Sequence, residues 1–377
     1  AGIKLKPEQV YSETGPSLRE CVGIFGGGCT AEVVSADGLV LTNHHCGFQY
    51  VHDMSSMGND IMKDGYFAHS RSEELRTPEN LTFTFVLAVE DVTAEVEKQA
   101  RQKGADAYDC QTGDFLAPIA DSLLTVSRFK DMKGMRARLI PYFGGNQFYI
   151  FYEQTYGDVR LVANPPYNIG QFGGNSDNWM WPRHNADFAM FRIYADKDGQ
   201  PAPYSPDNVP LHRDKYLPIS LKGYKEGDFT MIMGFPGSTE RYLTAAQVAY
   251  QMQNMNGPIA MAGNPLLALY KEVMDMSDEN RLMLEDDYFS LANMIKNYSG
   301  AIESVEKTHL VDEKRAEEAR FRDYCRRTGQ EAEYAGVIDS IAAYCEATGD
   351  MIYNNMLYFI TARQISSGAA NGWCSEW

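Results

Sequence analysis

The sequence predicts a mixed β and α protein: a β-barrel or sandwich in the N-terminal part, followed by a helical region. Three observations predict it. Over the first 90 residues, short runs rich in β-branched and aromatic side chains alternate with glycine or polar turns. Residues 201–218 contain five prolines, which forbid a regular ladder and read as an interdomain crossing. From about Arg241 onward, Ala, Met, Leu, Glu and Lys recur with helical periodicity and β-branched runs are few.

Taken in order, residues 22–25, 31–34, 38–42 and 81–89 read as strands. Residues 91–133 read as an inserted helical segment, with Val92, Val96 and Ala100 on one face. Strand character returns at 146–152, 159–162, 188–194 and 228–233. In the helical region, one long amphipathic helix is expected over 304–327 and a second over 331–348, closed by Gly349 at the position a helix C-terminus prefers. This divides the chain into a domain of 1–240 and a helical domain of 241–377. Residues 367–377 supply no closing strand, so the helical domain is expected to be incomplete here.

Composition excludes several function classes. The 44% hydrophobic and 23% charged content is that of a globular protein. A net charge of −17, from 34 Lys+Arg against 51 Asp+Glu and without a basic stripe, argues against nucleic acid as a partner. No run approaches the length of a membrane span, and the first ten residues hold two lysines and no apolar export core. If the protein is exported, its signal peptide is expected to be absent already. Seven cysteines are too few for a dense disulfide framework. Cys29 and Cys46 bracket two apolar stretches joined by the polar turn Ala36-Asp37-Gly38. They form either a bridge across a hairpin or two small buried hydrophobes.

The chemistry concentrates in Thr42-Asn-His-His-Cys46, which follows a strand and the upstream glycine run Phe25-Gly-Gly-Gly-Cys-Thr30. Chymotrypsin-like peptidases place their general-base histidine in this context, and the match falls on His45, with His44 facing the other way. A second element, Asp177-Asn-Trp-Met-Trp-Pro-Arg-His184, is followed closely by Asp187-Phe188 and an apolar strand. A third is Met233-Gly-Phe-Pro-Gly-Ser-Thr-Glu-Arg-Tyr242.

Over nearly its whole length, and most strongly in these three blocks, the chain resembles the bacterial dipeptidyl-peptidase 7 and dipeptidyl-peptidase 11 family, serine exopeptidases that release dipeptides from free N-termini. The resemblance implies a chymotrypsin-like double β-barrel, here the first barrel plus the start of the second, with an all-helical domain inserted and incomplete. It places the catalytic base on His45 and the triad carboxylate on Asp187. Asp187 would hold the imidazole in the correct tautomer and stabilise its charged form. Recognition of the substrate N-terminus falls on Asn178, Trp179 and Asn293, acceptors and a flat wall for an ammonium in a blocked cleft. The bland alternative makes Trp179 and Trp181 core anchors and Asn293 a helix-surface residue. The implied partner is a peptide substrate, with no cofactor, and the implied location is the periplasm or the cell surface. Family members generally form dimers, but the sequence carries no interface signature for one.

The departure is the nucleophile. A chymotrypsin-type serine lies in a Gly-x-Ser-Gly turn after the aspartate, and no serine here meets both conditions. Ser176 precedes Asp187, and Ser367-Gly368 lacks the upstream glycine. The serine is therefore expected beyond Trp377, and these residues alone are expected to be inactive. Two other readings stand beside this one. A metal site built from His44, His45, Cys46, His184 and Asp187 has legitimate ligands, but adjacent histidines do not converge easily on one ion. A non-catalytic peptide-binding module on a peptidase scaffold would also lack the serine.

Overall fold

The structure, a computed structural model, describes residues 2–12, 14–238 and 240–363. Those residues form two compact units. The first takes in the described residues of Ala1–Ser55, Asn59–Gln171 and Ala186–Gly237; the second takes in those of Ser56–Gly58, Phe172–Asn185 and Ser238–Trp377. Ser367 and Gly368 lie outside the described residues.

The first unit is built on one antiparallel sheet. Its strands are β1 (Val22–Phe25), β2 (Cys29–Val33), β3 (Leu39–Thr42), β4 (Tyr66–Phe67), β5 (Leu75–Arg76), β6 (Phe83–Asp91), β7 (Met135–Tyr142), β8 (Gln147–Tyr156), β9 (Asp158–Asn164), β10 (Ala189–Ala195) and β11 (Val209–Pro210). The main path runs β4-β9-β10-β3-β2-β1-β6-β8-β7, with β5 pairing β9 and β11 pairing β10. The β1–β2 turn closes Phe25 onto Cys29 through Gly26 and Gly27, whose φ of 59° and 83° a side chain resists. Phe25 and Phe191 pack with ring centroids 4.8 Å apart, and Phe83 lies against Phe85.

Between β6 and β7 the expected helical segment consists of α1 (Thr93–Lys103) and α2 (Gly113–Val126). Val96 is fully buried, and Val92 and Ala100 pack around it against Leu116, Ile119, Phe148 and Ile150. β7 has no counterpart in the sequence reading. Its alternation is masked by Arg136 and Arg138, which project onto the fully buried Glu153 of β8 at 2.7 and 2.9 Å. Residues 228–233, expected as a strand, are not one: no described strand runs beside them, and Ile232 is fully exposed.

The second unit is helical: α3 (Ala245–Tyr250), α4 (Gly257–Met274), α5 (Asp278–Thr308), α6 (Leu310–Thr328) and α7 (Glu331–Tyr358). A π-turn at Gln251–Asn256 joins α3 to α4. Ile259, Tyr270, Leu291, Ile295 and Ile360 form its core. Two boundaries differ from expectation. The helix expected over 304–327 is two helices, because His309 adopts a left-handed φ of 55° and ends α5 there. The helix expected to stop at Gly349 runs on to Tyr358. Gly349 serves close packing instead, since a Cβ there would stand 3.1 Å from the Asn254 side chain.

Gly23 in β1 gives a test of this packing. A Cβ at this position would overlap the Phe83 ring and approach the Thr84 carbonyl to 2.8 Å. Gly23→Ala is expected to lower the unfolding free energy by about 1–3 kcal/mol, the usual cost of overpacking, as read by urea denaturation. An unchanged midpoint would mean that this core is looser than described.

Candidate active site

Sheet register brings His45 and Asp187 together across 142 residues of sequence. In the β3–β10 ladder, Thr42 faces Ala189. The residues just after Thr42 therefore meet those just before Ala189. A further helix, His44–Asp53, starts immediately after β3, with Asn43 at its N-cap.

Asn43 does not cap the helix with its own side chain. Its Nδ2 donates to the Asp187 carbonyl at 3.2 Å and to Asp187 Oδ2 at 3.3 Å. The capping acceptor is Asp187 itself, whose Oδ1 accepts the His45 backbone N–H at 3.0 Å. The second oxygen, Oδ2, lies 2.8 Å from His45 Nδ1. An ionised carboxylate only accepts, so Nδ1 carries the proton and Nε2 keeps its lone pair. The His45 side chain is 61% exposed and that of Asp187 21%, so the ring faces solvent while its anchor is sheltered.

Burial by itself would raise the Asp187 pKa. The His45 side-chain hydrogen bond, charge and backbone N–H outweigh it, and the carboxyl titrates below its ordinary range. His44 points the other way and is fully buried. Burial is the main reason its pKa falls to about 4, with the attraction of Asp187 opposing and His45 adding to the drop. Cys29 and Cys46 are disulfide-bonded, with Cα atoms 6.1 Å apart, which ties β2 to the His45 helix. Beside them a cavity of about 570 Å³ is lined by Thr30, Thr42, Asn43, Asp187 and residues 232–236. Its wall is set by Thr30, whose Oγ1 accepts the Phe235 N–H at 2.7 Å.

The remaining predicted residues come together in the second unit. Asn178 Nδ2 donates to Asn293 Oδ1 at 2.9 Å, and Trp179 Nε1 donates to the same oxygen at 3.0 Å and to the Asn293 carbonyl at 3.1 Å. Asn178 Oδ1 accepts from the Trp179 N–H at 3.1 Å and from Arg183 Nη1 at 3.2 Å. The loop is held on α5 by Asn175 to Tyr288 and by Lys296 to the Ser176 carbonyl. Trp179 sits at φ 58°, a left-handed conformation costing roughly 1–2 kcal/mol. Trp179 and Trp181 are 58% and 90% exposed, which overturns the alternative of core anchors. Sequence reading missed Asn43 and Arg183. Both lie inside the motifs it singled out, but nothing in a linear string says which way an asparagine amide turns.

For a metal site, the sulfur of Cys46 is committed to Cys29, and His44 and His45 face apart. Among the described residues no three His, Cys, Asp or Glu side chains group as metal ligands.

The His44 shift carries a stability consequence. Its folded pKa of about 4 lies below the ordinary 6.5, so between these values the unfolded chain binds a proton that the folded chain refuses. Its contribution is full above pH 6.5 and is lost as pH falls to about 4, amounting to up to about 3 kcal/mol. Asp187 adds a loss of the same sign below its ordinary 3.8. Unfolding temperature is expected to decline between pH 7 and 4, and His44→Gln to flatten that decline. Parallel curves for the two proteins would contradict the assignment.

The Peptidase S46 family matches residues 1–371. The chain is 42% identical over 353 residues to the dipeptidyl-peptidase 7 of Phocaeicola vulgatus, covering 94% of this chain and 49% of that protein. It is 44% identical over 248 residues to an Asp/Glu-specific dipeptidyl-peptidase of Porphyromonas gingivalis, covering 66% and 34%. Among solved structures it matches Porphyromonas endodontalis DPP11 in complex with the dipeptide Arg-Glu, with a TM-score of 0.90 at 31% identity over 100% of this chain and 56% of that one. The chain thus spans about half the length of the relatives it matches. It carries the mixed α/β architecture and large antiparallel sheet of that structure, and it belongs to the Peptidase S46 family.

Proposed function

We propose that this chain supplies the general base, its orienting carboxylate and the N-terminus-reading residues of a serine-type dipeptidyl peptidase. The observation that carries the reading is the two-point grip of Asp187 on His45, Oδ1 on the backbone N–H and Oδ2 on Nδ1. In acyl transfer, His45 Nε2 takes the proton of an attacking serine hydroxyl as the tetrahedral intermediate forms. The resulting imidazolium is stabilised by Asp187 and returns the proton to the leaving amine. The dipeptidyl acyl-enzyme is then hydrolysed by water through the same base.

The nucleophile is assigned to protein outside these 377 residues, because the sequence has no Gly-x-Ser-Gly turn after Asp187 and the relatives are about twice as long. Alone, these residues are expected to release no dipeptide. The sheet of the first unit is read as the first barrel of a chymotrypsin-like pair, and residues 228–236 as the entry to the second. The periplasm or cell surface is the proposed location, since the Cys29–Cys46 bridge requires an oxidising compartment. A homodimer is proposed on the resemblance alone.

Recognition of a free N-terminus is assigned to Asn178, Trp179 and Asn293. Both asparagine side-chain oxygens already accept two donors each within the cluster. An incoming ammonium therefore has to displace one of those donors, and Arg183, the longest contact at 3.2 Å, carries a charge of the same sign as the ammonium.

Two measurements test this, both on release of dipeptidyl-coumarin by the protein that carries this chain. His45→Ala and Asp187→Asn are expected to lower kcat on the order of 10³–10⁴-fold, as loss of base or tautomer control does. Full activity in both variants would end the triad assignment. An N-acetylated substrate is expected not to be cleaved, and Asn293→Ala to raise KM for the free-amine substrate more than it lowers kcat. Equal turnover of acetylated and free peptides would remove these residues from N-terminal recognition.

A further inference from the structure

His44, which the proposed chemistry does not use, has the features of a peg that fixes its neighbour. It is the first residue of the His44–Asp53 helix, is 0% exposed, and is the only histidine among the largest fully buried side chains of the described residues. Three walls hold its ring. Gly170 presses against one face so closely that a Cβ there would overlap the imidazole, 2.7 Å from both Cγ and Nε2. Asn164, itself fully buried, presents Nδ2 at 3.5 Å from Nε2 and is held by donating to the Pro165 carbonyl at 3.1 Å. Phe48, one turn along the same helix, meets it edge-on at 6.1 Å between ring centroids.

Consecutive residues of a helix point about 100° apart and share one rigid frame. The direction of His44 into the core therefore sets the direction of His45 out of it. We propose that His44 is a positioning residue: a wedged ring that fixes the rotation of the helix start, and with it the orientation of His45 toward its reacting partner. This rests on the reading of His45 as the general base.

The geometry indicates the size of the effect. A side chain at the roughly 5–6 Å outer radius of a helix moves about 1 Å when the helix start turns by about 10°. A shift of that size at a reacting group costs on the order of 100-fold in rate. Asn164 Nδ2 lies 3.5 Å from the ring Nε2, and the complete burial of the ring disfavours its charged form. An uncharged neighbour leaves Asp187 to a single imidazole, whereas a second cation beside it would compete for the same carboxylate.

The test compares His44→Ala, Gly170→Ala and their combination in the protein that carries this chain, with kcat, KM and melting temperature measured for each. His44→Ala is expected to lower kcat on the order of 100-fold with KM nearly unchanged, because the substrate pocket is untouched while proton transfer is misaligned. Gly170→Ala, which pushes the ring from the opposite side, should reproduce the pattern. In the His44→Ala background, Gly170→Ala should cost nothing further, since its methyl group then meets no ring. The proposal is overturned if folded His44→Ala keeps its kcat, if the loss appears in KM instead, or if the two substitutions simply multiply. Should His44→Ala fail to fold, Gly170→Ala decides alone, and an unchanged kcat there overturns it. A separate result, full activity in His45→Ala, would defeat the underlying reading of the site and not the peg.

Discussion

The arrangement depends on one carboxylate that accepts three donors from two residues, Asn43 and His45, at the start of one helix. Asp187 takes the backbone N–H and the ring Nδ1–H of His45 together with the Asn43 amide. The first bond fixes where the His45 backbone is, and the second fixes where its ring points. The carboxylate also faces the N-terminus of the His44–Asp53 helix, where the unpaired N–H groups and the helix dipole favour a negative charge. Its burial works against ionisation, and these donors reverse that. A carboxamide at this position would have to present an N–H to one of the donors, so the geometry is specific to an acceptor-only group.

The carboxylate is held in place by the sheet. Register between β3 and β10 sets Thr42 against Ala189, and β10 is pinned further along by buried polar contacts. Arg192 of β10 meets Glu74 at 2.8 Å, and Tyr194 donates to the other oxygen of Glu74 at 2.7 Å. Burial first, then the Glu74 hydrogen bond, pushes the Tyr194 hydroxyl up to about 12, so it stays a donor. Beside it Arg160 makes a two-point contact with Asp158 and lies over the Tyr194 ring at 3.6 Å. Buried ion pairs of this kind add little net stability, but removing one partner is costly. Their effect is to make a shift of register expensive, and a shift of one residue would turn Phe191 and Ile193 out of the core.

Much of this was legible in the sequence, for identifiable reasons. The early strands are short, β-branched and separated by glycine, so residues 22–25 and 38–42 fall on β1 and β3 with little ambiguity. The Val92, Val96 and Ala100 face is a local property and survives in α1. What failed were features decided by distant partners. β7 carries arginines that look solvent-directed until the buried Glu153 on the neighbouring strand is known. Gly349 resembles a helix stop until Asn254 is found against it. The break at His309 has no glycine to announce it. At the site, His45 and Asp187 stand out because their motifs are long and unusual. Asn43 was missed because the helix His44–Asp53 that follows it is not announced in the sequence, and because its partner, Asp187, is distant in the chain.

The second-unit cluster follows a different electrostatic principle. Its polar atoms are amides, an indole N–H and a guanidinium, without a carboxylate among the hydrogen bonds that join Asn178, Trp179, Arg183 and Asn293. In the proposed role this matters, because a carboxylate would attract any cation, including a lysine side chain partway along a peptide. Neutral oxygens recognise an ammonium only when several are aimed at one point, so selectivity comes from direction more than from charge. The left-handed turn at Trp179 supplies that direction by bending the chain so that its N–H and indole both fall on asparagine oxygens. Arg183 adds a positive charge beside Asn178, which opposes an ammonium arriving there.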